Sequence, residues 1–341
     1  MIMKQKIILI MLLLWGGTAF TQSISELYNN VQASVVVVYT KEKVASKGLH
    51  QKMMTSEGLG SGVLISKEGY ILTASHVVNV ADAIMVGFSD GTKVPAEVVR
   101  SVPAADVALI KLLWMPENRT IVPMGNSDEA NVGDQVFVIG APFGLERSLS
   151  VGHVSARHLD DKRTTGLDRM EFLQTDAAIN TGNSGGPMFN MDGEVIGIVS
   201  YILTLSGGFE GIGFAVTSNV ASTLLTQKGA FWFGAEGFFL EGNMAKAFNV
   251  PQDGGILIQK VVNNSPAGAM GLKAGTIYVT MSEEEVLIGG DIVLTINGIQ
   301  ITDMVALGEV RQNLNTFQTG DQLTIDVLRE GRAVTLKYTM R

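Results

Sequence analysis

Four histidines occur in this chain, His50, His76, His153 and His158, and none of them follows Ser184. That order limits the folds open to the chain, because Ser184 lies in Asn180-Thr181-Gly182-Asn183-Ser184-Gly185-Gly186-Pro187, a stretch suited to presenting a serine. A serine hydroxyl is a poor nucleophile at neutral pH, so it needs a base to take its proton and amide donors to hold the oxyanion that its attack creates. Gly182 and the two glycines after Ser184 let the backbone turn tightly, so that N–H groups of Gly182, Asn183 and Ser184 can face one spot. Polar turns favour the same residues, so the stretch needs partners before it means chemistry. Gly182-Asn183-Ser184-Gly185-Gly186 also satisfies the G-x-S-x-G elbow of α/β-hydrolases, but that fold places its histidine last. The subtilisin order needs an aspartate ahead of the histidine, and none precedes His76. What remains is His, then Asp, then Ser.

His76 fits that order. Gly69-Tyr70-Ile71-Leu72-Thr73-Ala74-Ser75-His76 runs from a turn through a short apolar strand into the histidine, placing a base at the end of a rigid element. Asp106 opens the apolar stretch Val107-Ala108-Leu109-Ile110, and an acid at the edge of a core strand needs a hydrogen-bonding partner, which a histidine N–H supplies. Singly, His76 reads equally as a core histidine and Asp106 as a strand-end cap. Order and context together select the catalytic reading.

These pieces resemble the HtrA/Deg family of PDZ-containing serine proteases. The likeness rests on Gly60-Ser61-Gly62-Val63, His76-Val77-Val78, Asp106-Val107-Ala108-Leu109, Gly140-Ala141-Pro142-Phe143-Gly144, Gln174-Thr175-Asp176-Ala177-Ala178-Ile179-Asn180, Gly182 to Pro187 and Gly211-Ile212-Gly213-Phe214-Ala215. It extends from about Ile24 to the end of the chain. It implies a mostly β fold, with a chymotrypsin-like double β-barrel, and makes His76 the general base, Asp106 its orienting group and Ser184 the nucleophile. Ala74-Ser75 departs from the residues the family usually carries there, with no expected effect on catalysis.

Bulk properties agree with two domains. The 341 residues, 46% hydrophobic, suffice for two cores, and a net charge of −8 without a basic run argues against nucleic acid. Cysteine is absent, which excludes disulfides and cysteine-ligated zinc, and no metal or cofactor is expected. Lys4 and Lys6 precede an unbroken apolar run from Ile7 to Trp15 and then small residues, the pattern of a secretory signal peptide over residues 1–21, with a retained membrane anchor as the alternative. Export to the periplasm or cell envelope follows in either case.

Along the chain, Ser25 to Asn30 predicts a brief helix and Val35-Val36-Val37-Val38-Tyr39 a buried strand. Thr40 to Leu59 is polar and without a period, and reads as a long surface loop. Short apolar segments at 62–65, 70–73, 83–88, 93–100, 107–113 and 135–139, bounded by turn residues, predict an all-β barrel or sandwich. Ala156 to Met170 is dense in charge and reads as a solvated loop; the resemblance makes it the loop that senses the state of the PDZ domain. His153 and His158 lack metal-ligand spacing. Digestive proteases carry Asp where Asn183 stands, and that Asp pairs with a freed N-terminus; Asn cannot, so control by loop ordering is expected. Ile179, Asn180, Tyr201, Ile202 and Phe214 are expected to wall the substrate pocket, without an acid to attract Arg or Lys, which predicts cleavage after small or medium aliphatic residues.

Ser218 to Lys228 predicts a helix closing a protease domain over residues 22–229. Residues 230–341 resemble a single PDZ domain (α+β), by Phe233-Gly234-Ala235, Asn264-Ser265-Pro266-Ala267 and Gly290-Asp291-Ile292-Val293. Phe233, Gly234 and Ala235 then form the loop that receives a peptide carboxylate. Met304, Leu307, Val310 and Leu314 recur at helical spacing and suit a peptide groove or a core equally. Residues 276–288 are extra relative to usual family members and predict a hairpin with an acidic tip. The resemblance implies a homotrimer or a higher multiple, unfolded protein substrates, and hydrophobic C-terminal peptides at the PDZ domain. A chaperone or peptide-binding protein with secondary proteolysis is the other reading.

Overall fold

Strands whose apolar residues face both ways dominate the structure, a computed structural model that describes residues 22–45, 53–141, 147–160, 170–180, 182–204, 208–226, 232–281, 284–314 and 316–340. The expected signal segment, His50, Thr181 and most of the charge-dense 156–170 segment lie wholly or partly outside these residues.

Helix α1 (Ile24–Val31) begins at Ser23, whose side chain and that of Glu26 form a reciprocal capping box. Strands β1 (Val35–Ala45), β2 (Met53–Leu64), β3 (Tyr70–Thr73), β4 (Ala83–Gly87), β5 (Lys93–Val102) and β6 (Val107–Leu112) close an antiparallel barrel in the order β1-β2-β3-β6-β5-β4. A one-turn helix, α2 (Ser75–Val78), follows β3. Strands β7 (Gln135–Gly140), β8 (Ser148–Asp160), β9 (Met170–Thr175), β10 (Pro187–Phe189), β11 (Val195–Ile202) and β12 (Gly213–Thr217) close a second barrel in the order β10-β11-β12-β9-β8-β7, and helix α3 (Ser218–Thr226) leaves it.

Alternation along the strands explains how two separately filled barrels are joined. Val36 and Val38 of β1, Ile71 of β3 and Ala108 and Ile110 of β6 fill the first barrel. Val136 and Val138 of β7, Leu173 of β9 and Ala215 of β12 fill the second. The intervening residues Val35, Leu72, Val107, Phe137, Ile139, Phe172 and Val216 point outward, where they pack with Leu27, Val31 and Leu224 in a third cluster that joins the barrels. The valine run of β1 is therefore buried on both faces.

Two loop expectations are corrected. Residues 40–45 and 53–59 are not loop: they extend β1 and β2 as a paired ribbon, Thr40 opposite Gly58 and Ala45 opposite Met53. Residues 54–58 of the ribbon are exposed, and the β1 positions that turn from solvent, Thr40, Glu42 and Val44, are mostly polar, so the ribbon shows no hydrophobic period. Likewise Ala156 to Asp160 continue β8, paired with β9 from Ala156 opposite Gln174 to Asp160 opposite Met170.

The remaining chain builds a sheet from β13 (Ala235–Glu241), β14 (Gly254–Val261), β17 (Ile292–Ile296), β18 (Ile299–Gln300), β19 (Gln322–Arg329) and β20 (Arg332–Thr339), in the order β13-β14-β17-β19-β20, with β18 on β17. Short helices α4 (Gly242–Ala247) and α5 (Pro266–Ala269), hairpin strands β15 (Ile277–Met281) and β16 (Glu284–Ile288) and helix α6 (Met304–Leu314) complete it. One face of the sheet packs Ile258, Val293, Ile325 and Val327 with Val310 of α6; the other packs Leu257 and Ile292 with Ala245 of α4 and Val286 of the hairpin. The hairpin foreseen at 276–288 is present, and the Gln259 amide fastens it by donating to Leu287 O (3.0 Å) and accepting from Leu287 N (2.6 Å), as a backbone peptide would.

Candidate active site

His76 and Asp106 meet at the mouth of the first barrel. The histidine stands in the first turn of α2 rather than at the end of β3, and its side chain is half exposed. Asp106 precedes β6 with φ of +52°, in the left-handed region that a short polar side chain tolerates best. That conformation turns the carboxylate back onto α2. Oδ1 accepts from the His76 backbone N–H at 2.9 Å, and Nδ1 of the ring lies 2.9 Å from both carboxylate oxygens. The ring is thereby oriented with Nδ1 toward the acid, leaving Nε2 as the basic nitrogen. The hydroxyl of Ser200, a buried residue of β11 in the second barrel, donates to Asp106 Oδ2. Ser200 was not foreseen: a serine in an apolar strand carries no sequence signal beyond being polar where its neighbours are not.

Ser101 of β5 braces both ends of α2. The Ser75 hydroxyl pairs with that of Ser101 at 2.8 Å, and Ser101 donates to Asn79 Oδ1 at 3.0 Å. The unusual Ser75 thus has a structural partner.

The Ser184 turn belongs to the second barrel but is seated against the first. Ser184 O accepts from Ser61 N of β2 at 2.8 Å. A side chain on Gly60 would meet Val77 at 2.8 Å and Ser184 O at 3.2 Å. One on Gly185, whose φ is +82°, would lie 2.3 Å from both Ser61 O and Thr73 Oγ1 and 2.7 Å from Ala74 N. The glycines therefore allow the Ser184 backbone to lie directly on Ser61 of β2 and on Thr73 and Ala74, which lead to His76. Asn183 is 2% exposed, with its backbone N–H donated to Asn180 O at 2.9 Å. Its N–H is thus engaged within the turn, whereas Gly182, at φ of +103°, and Ser184 remain as candidate oxyanion donors.

Comparison with known proteins places this arrangement. Residues 60–198 match a trypsin-like peptidase domain and residues 212–339 a PDZ domain. A solved HtrA-type protease, AlgW with a decapeptide, is 30% identical, with a TM-score of 0.53 over 93% of this chain and 98% of its own. The chain belongs to the HtrA-type proteases. The periplasmic serine endoprotease DegP of Escherichia coli (strain K12) is 38% identical over 301 residues, 86% of this chain and 58% of that protein. A probable DegP-like periplasmic endoprotease of Pseudomonas putida (strain GB-1) is 39% identical over 76% of this chain and 56% of its own length. The chain thus spans just over half the length of the curated relatives it matches. Among the described residues no helix is long and apolar enough to cross a membrane.

In this HtrA-type protease the residues expected to wall the substrate pocket divide between two faces. Ile179 and Ile202 lie together with Phe209, and Ile179 Cδ1 stands 2.5 Å from where a side chain on Gly213 would begin. Tyr201 and Phe214 turn the other way, stacked at 4.8 Å, with Phe172 and His158 edge-on. Neighbouring strand residues face opposite sides, so Tyr201 cannot share a wall with Ile202, nor Phe214 with Gly213. Asn180 serves through its carbonyl, as the acceptor for Asn183.

At the PDZ sheet, Phe233, Gly234 and Ala235 lead into edge strand β13. Gly234 has φ of +75°, and a side chain there would lie 2.1 Å from Ser265 Cβ. Its carbonyl accepts from Val262 N at 2.9 Å, and Phe233 O from Ala267 N at 3.0 Å, so the loop is pinned from behind. Leu307, Val310 and Leu314 of α6 pack into the core, while Met304 is 55% exposed. Among the described residues, Trp232, Asn263 and Lys260 link this part of the chain to the first barrel. Trp232 Nε1 donates to Asn79 O at 2.8 Å, Asn263 N to Asp82 Oδ1 at 3.5 Å, and Lys260 Nζ lies 2.6 Å from Glu42 Oε1 and 3.4 Å from Glu236. Burial alone would lower the Lys260 ammonium, but the carboxylates of Glu42 and Glu236 outweigh it and hold it above its ordinary value.

Proposed function

We propose that this chain is an exported serine endopeptidase that cleaves unfolded or misfolded envelope proteins under the control of peptides bound at its PDZ domain. The observation that carries the reading is the Asp106 carboxylate gripping both the backbone and the ring of His76, beside a serine turn seated on the strand that delivers that histidine. In the proposed reaction His76 takes the Ser184 proton as the hydroxyl attacks the scissile carbonyl. Asp106 stabilises the imidazolium, and the N–H groups of Gly182 and Ser184 hold the oxyanion. His76 then protonates the leaving amine. An acyl-enzyme remains, which water hydrolyses by the same route. Ile179, Ile202 and Gly213 offer an apolar, shallow site, which supports cleavage after small or medium aliphatic residues.

Regulation is supported by the position of Trp232. It immediately precedes the Phe233-Gly234-Ala235 loop, and its indole is bonded to Asn79, the residue that ends the helix bearing His76. A hydrophobic C-terminal peptide added along β13 would place its carboxylate at that loop, one residue from the tether. Periplasmic location, removal of residues 1–21, a domain boundary at 229 and 230 and assembly as a homotrimer or higher multiple belong to the same proposal.

The test is casein digestion by the exported chain beside Ser184→Ala, with and without hydrophobic C-terminal peptides. Digestion that requires Ser184 and rises with peptide is expected. Digestion indifferent to peptide removes the regulation, and digestion by Ser184→Ala removes the nucleophile.

A further inference from the structure

Ser61 lies on β2, in the first barrel, yet every polar atom it owns is committed to the site. Its backbone N–H donates to Ser184 O at 2.8 Å, and its carbonyl accepts from Thr73 Oγ1 at 2.7 Å. Its hydroxyl, wholly buried, donates to Gly182 O at 2.6 Å and accepts from Ala141 N at 2.9 Å. The carbonyls on both sides of Asn183 therefore rest on one residue.

Peptide units are rigid planes, so holding the atoms of a plane sets where its N–H points. In the unit joining Gly182 to Asn183, the carbonyl is held by the Ser61 hydroxyl and the N–H by Asn180 O. In the unit joining Asn183 to Ser184, the carbonyl is held by Gly186 N at 2.8 Å, which aims the Ser184 N–H. In the unit joining Ser184 to Gly185, the carbonyl is held by Ser61 N and the N–H by Val199 O at 2.7 Å. Gly182 is the weak point, since a glycine at φ of +103° has no side chain to resist rotation.

We propose that the Ser61 hydroxyl is a positioning residue for oxyanion stabilisation, acting across the barrel boundary to keep the Gly182 carbonyl turned away from the reacting centre. It touches no substrate; it acts through Gly182. Without it the Gly182 carbonyl and the Ala141 N–H lose a buried partner together, and the 182–183 unit is held at one end only, by the Asn183 N–H on Asn180 O. This rests on the reading of Ser184 as nucleophile with Gly182 and Ser184 as oxyanion donors.

The test compares the full chain with Ser61→Ala, Ser61→Thr and Ser184→Ala on a peptide substrate and on a peptide boronate, whose tetrahedral adduct fills the oxyanion site. Ser61→Ala is expected to lose about 10- to 100-fold in kcat, less than deleting an oxyanion donor outright, with KM nearly unchanged. Boronate affinity should fall with kcat, and Ser61→Thr, which keeps the hydroxyl, should recover most of it. A folded Ser61→Ala with unchanged kcat overturns the proposal, as does a fall in thermal stability with boronate affinity intact. Should Ser61→Ala not fold, Ser61→Cys, a weaker donor in the same place, must lower kcat more than it alters KM; wild-type kinetics in that variant also overturn it. Cleavage retained by Ser184→Ala would instead remove the reading of the site itself.

Discussion

The barrel cleft and the PDZ edge are both candidate binding surfaces, and they are built on opposite terms. In the cleft, each candidate group is held by a side chain from another element: Asp106 behind His76, Ser200 behind Asp106, Ser61 behind the Ser184 turn, and Ser101 under α2. At the PDZ edge the candidate surface is backbone, the outer side of β13 and the loop at Gly234, and the pins behind it are mostly main-chain hydrogen bonds. A site made of oriented side chains loses its chemistry when one atom is exchanged. A site made of strand edge tolerates exchanges until its backbone is displaced.

The contrast is broken or sharpened by four substitutions and conditions, taken from the largest effect downward. Asp106→Asn should lower kcat by roughly 10⁴-fold, because an amide presents a donor where Nδ1–H donates and favours the wrong tautomer. Stopped-time peptide hydrolysis measures this, and a loss under tenfold would mean that the cleft is less dependent on single atoms than its hydrogen bonds imply.

Asp291 tests the other side. It is 1% exposed and held by Arg329 through two 2.7 Å hydrogen bonds and by Lys273 N at 2.8 Å. Asp291 holds the Arg329 guanidinium above its ordinary value. Asp291→Ala should destabilise the PDZ sheet by about 3–5 kcal/mol, since it leaves a guanidinium without its buried partner. Denaturant unfolding checks it; peptide binding should fail only as the sheet unfolds.

Trp232→Phe keeps an aromatic ring but removes the indole N–H that the Asn79 carbonyl accepts, a loss of about 1 kcal/mol. Basal cleavage should then respond less to C-terminal peptide while peptide affinity, read by fluorescence anisotropy, stays the same. An unchanged peptide response would separate the two regions.

The smallest effect is expected from pH. The Lys260 value is raised in the folded protein, so its contribution is fully present below the ordinary ammonium value of 10.5 and is lost as pH rises through the folded value. Thermal unfolding should therefore show no Lys260-dependent change between about pH 7 and pH 9, and a difference between wild type and Lys260→Met that shrinks only in strong alkali.

Much of this was legible in the chain itself. The order His76, Asp106, Ser184 excluded two other serine hydrolase folds; short apolar segments between turn residues indicated an all-β barrel or sandwich; and the glycines around Ser184 marked a backbone that turns tightly. These are local or order-dependent properties, and the covalent chain carries them directly. The ribbon of β1 and β2 was not legible, because the positions it turns from solvent include Thr40 and Glu42, which break an apolar period. Nor was the split of Tyr201 from Ile202, which depends on which face of β11 meets the second barrel's core. Ser200 and Ser61 were the furthest from reach. Each is a lone hydroxyl whose partners lie 94 and 121 residues away along the chain, brought within hydrogen-bond distance only when the two barrels close on each other. A hydroxyl's role is set by what it meets, and for these two the packing of one barrel against the other makes that decision.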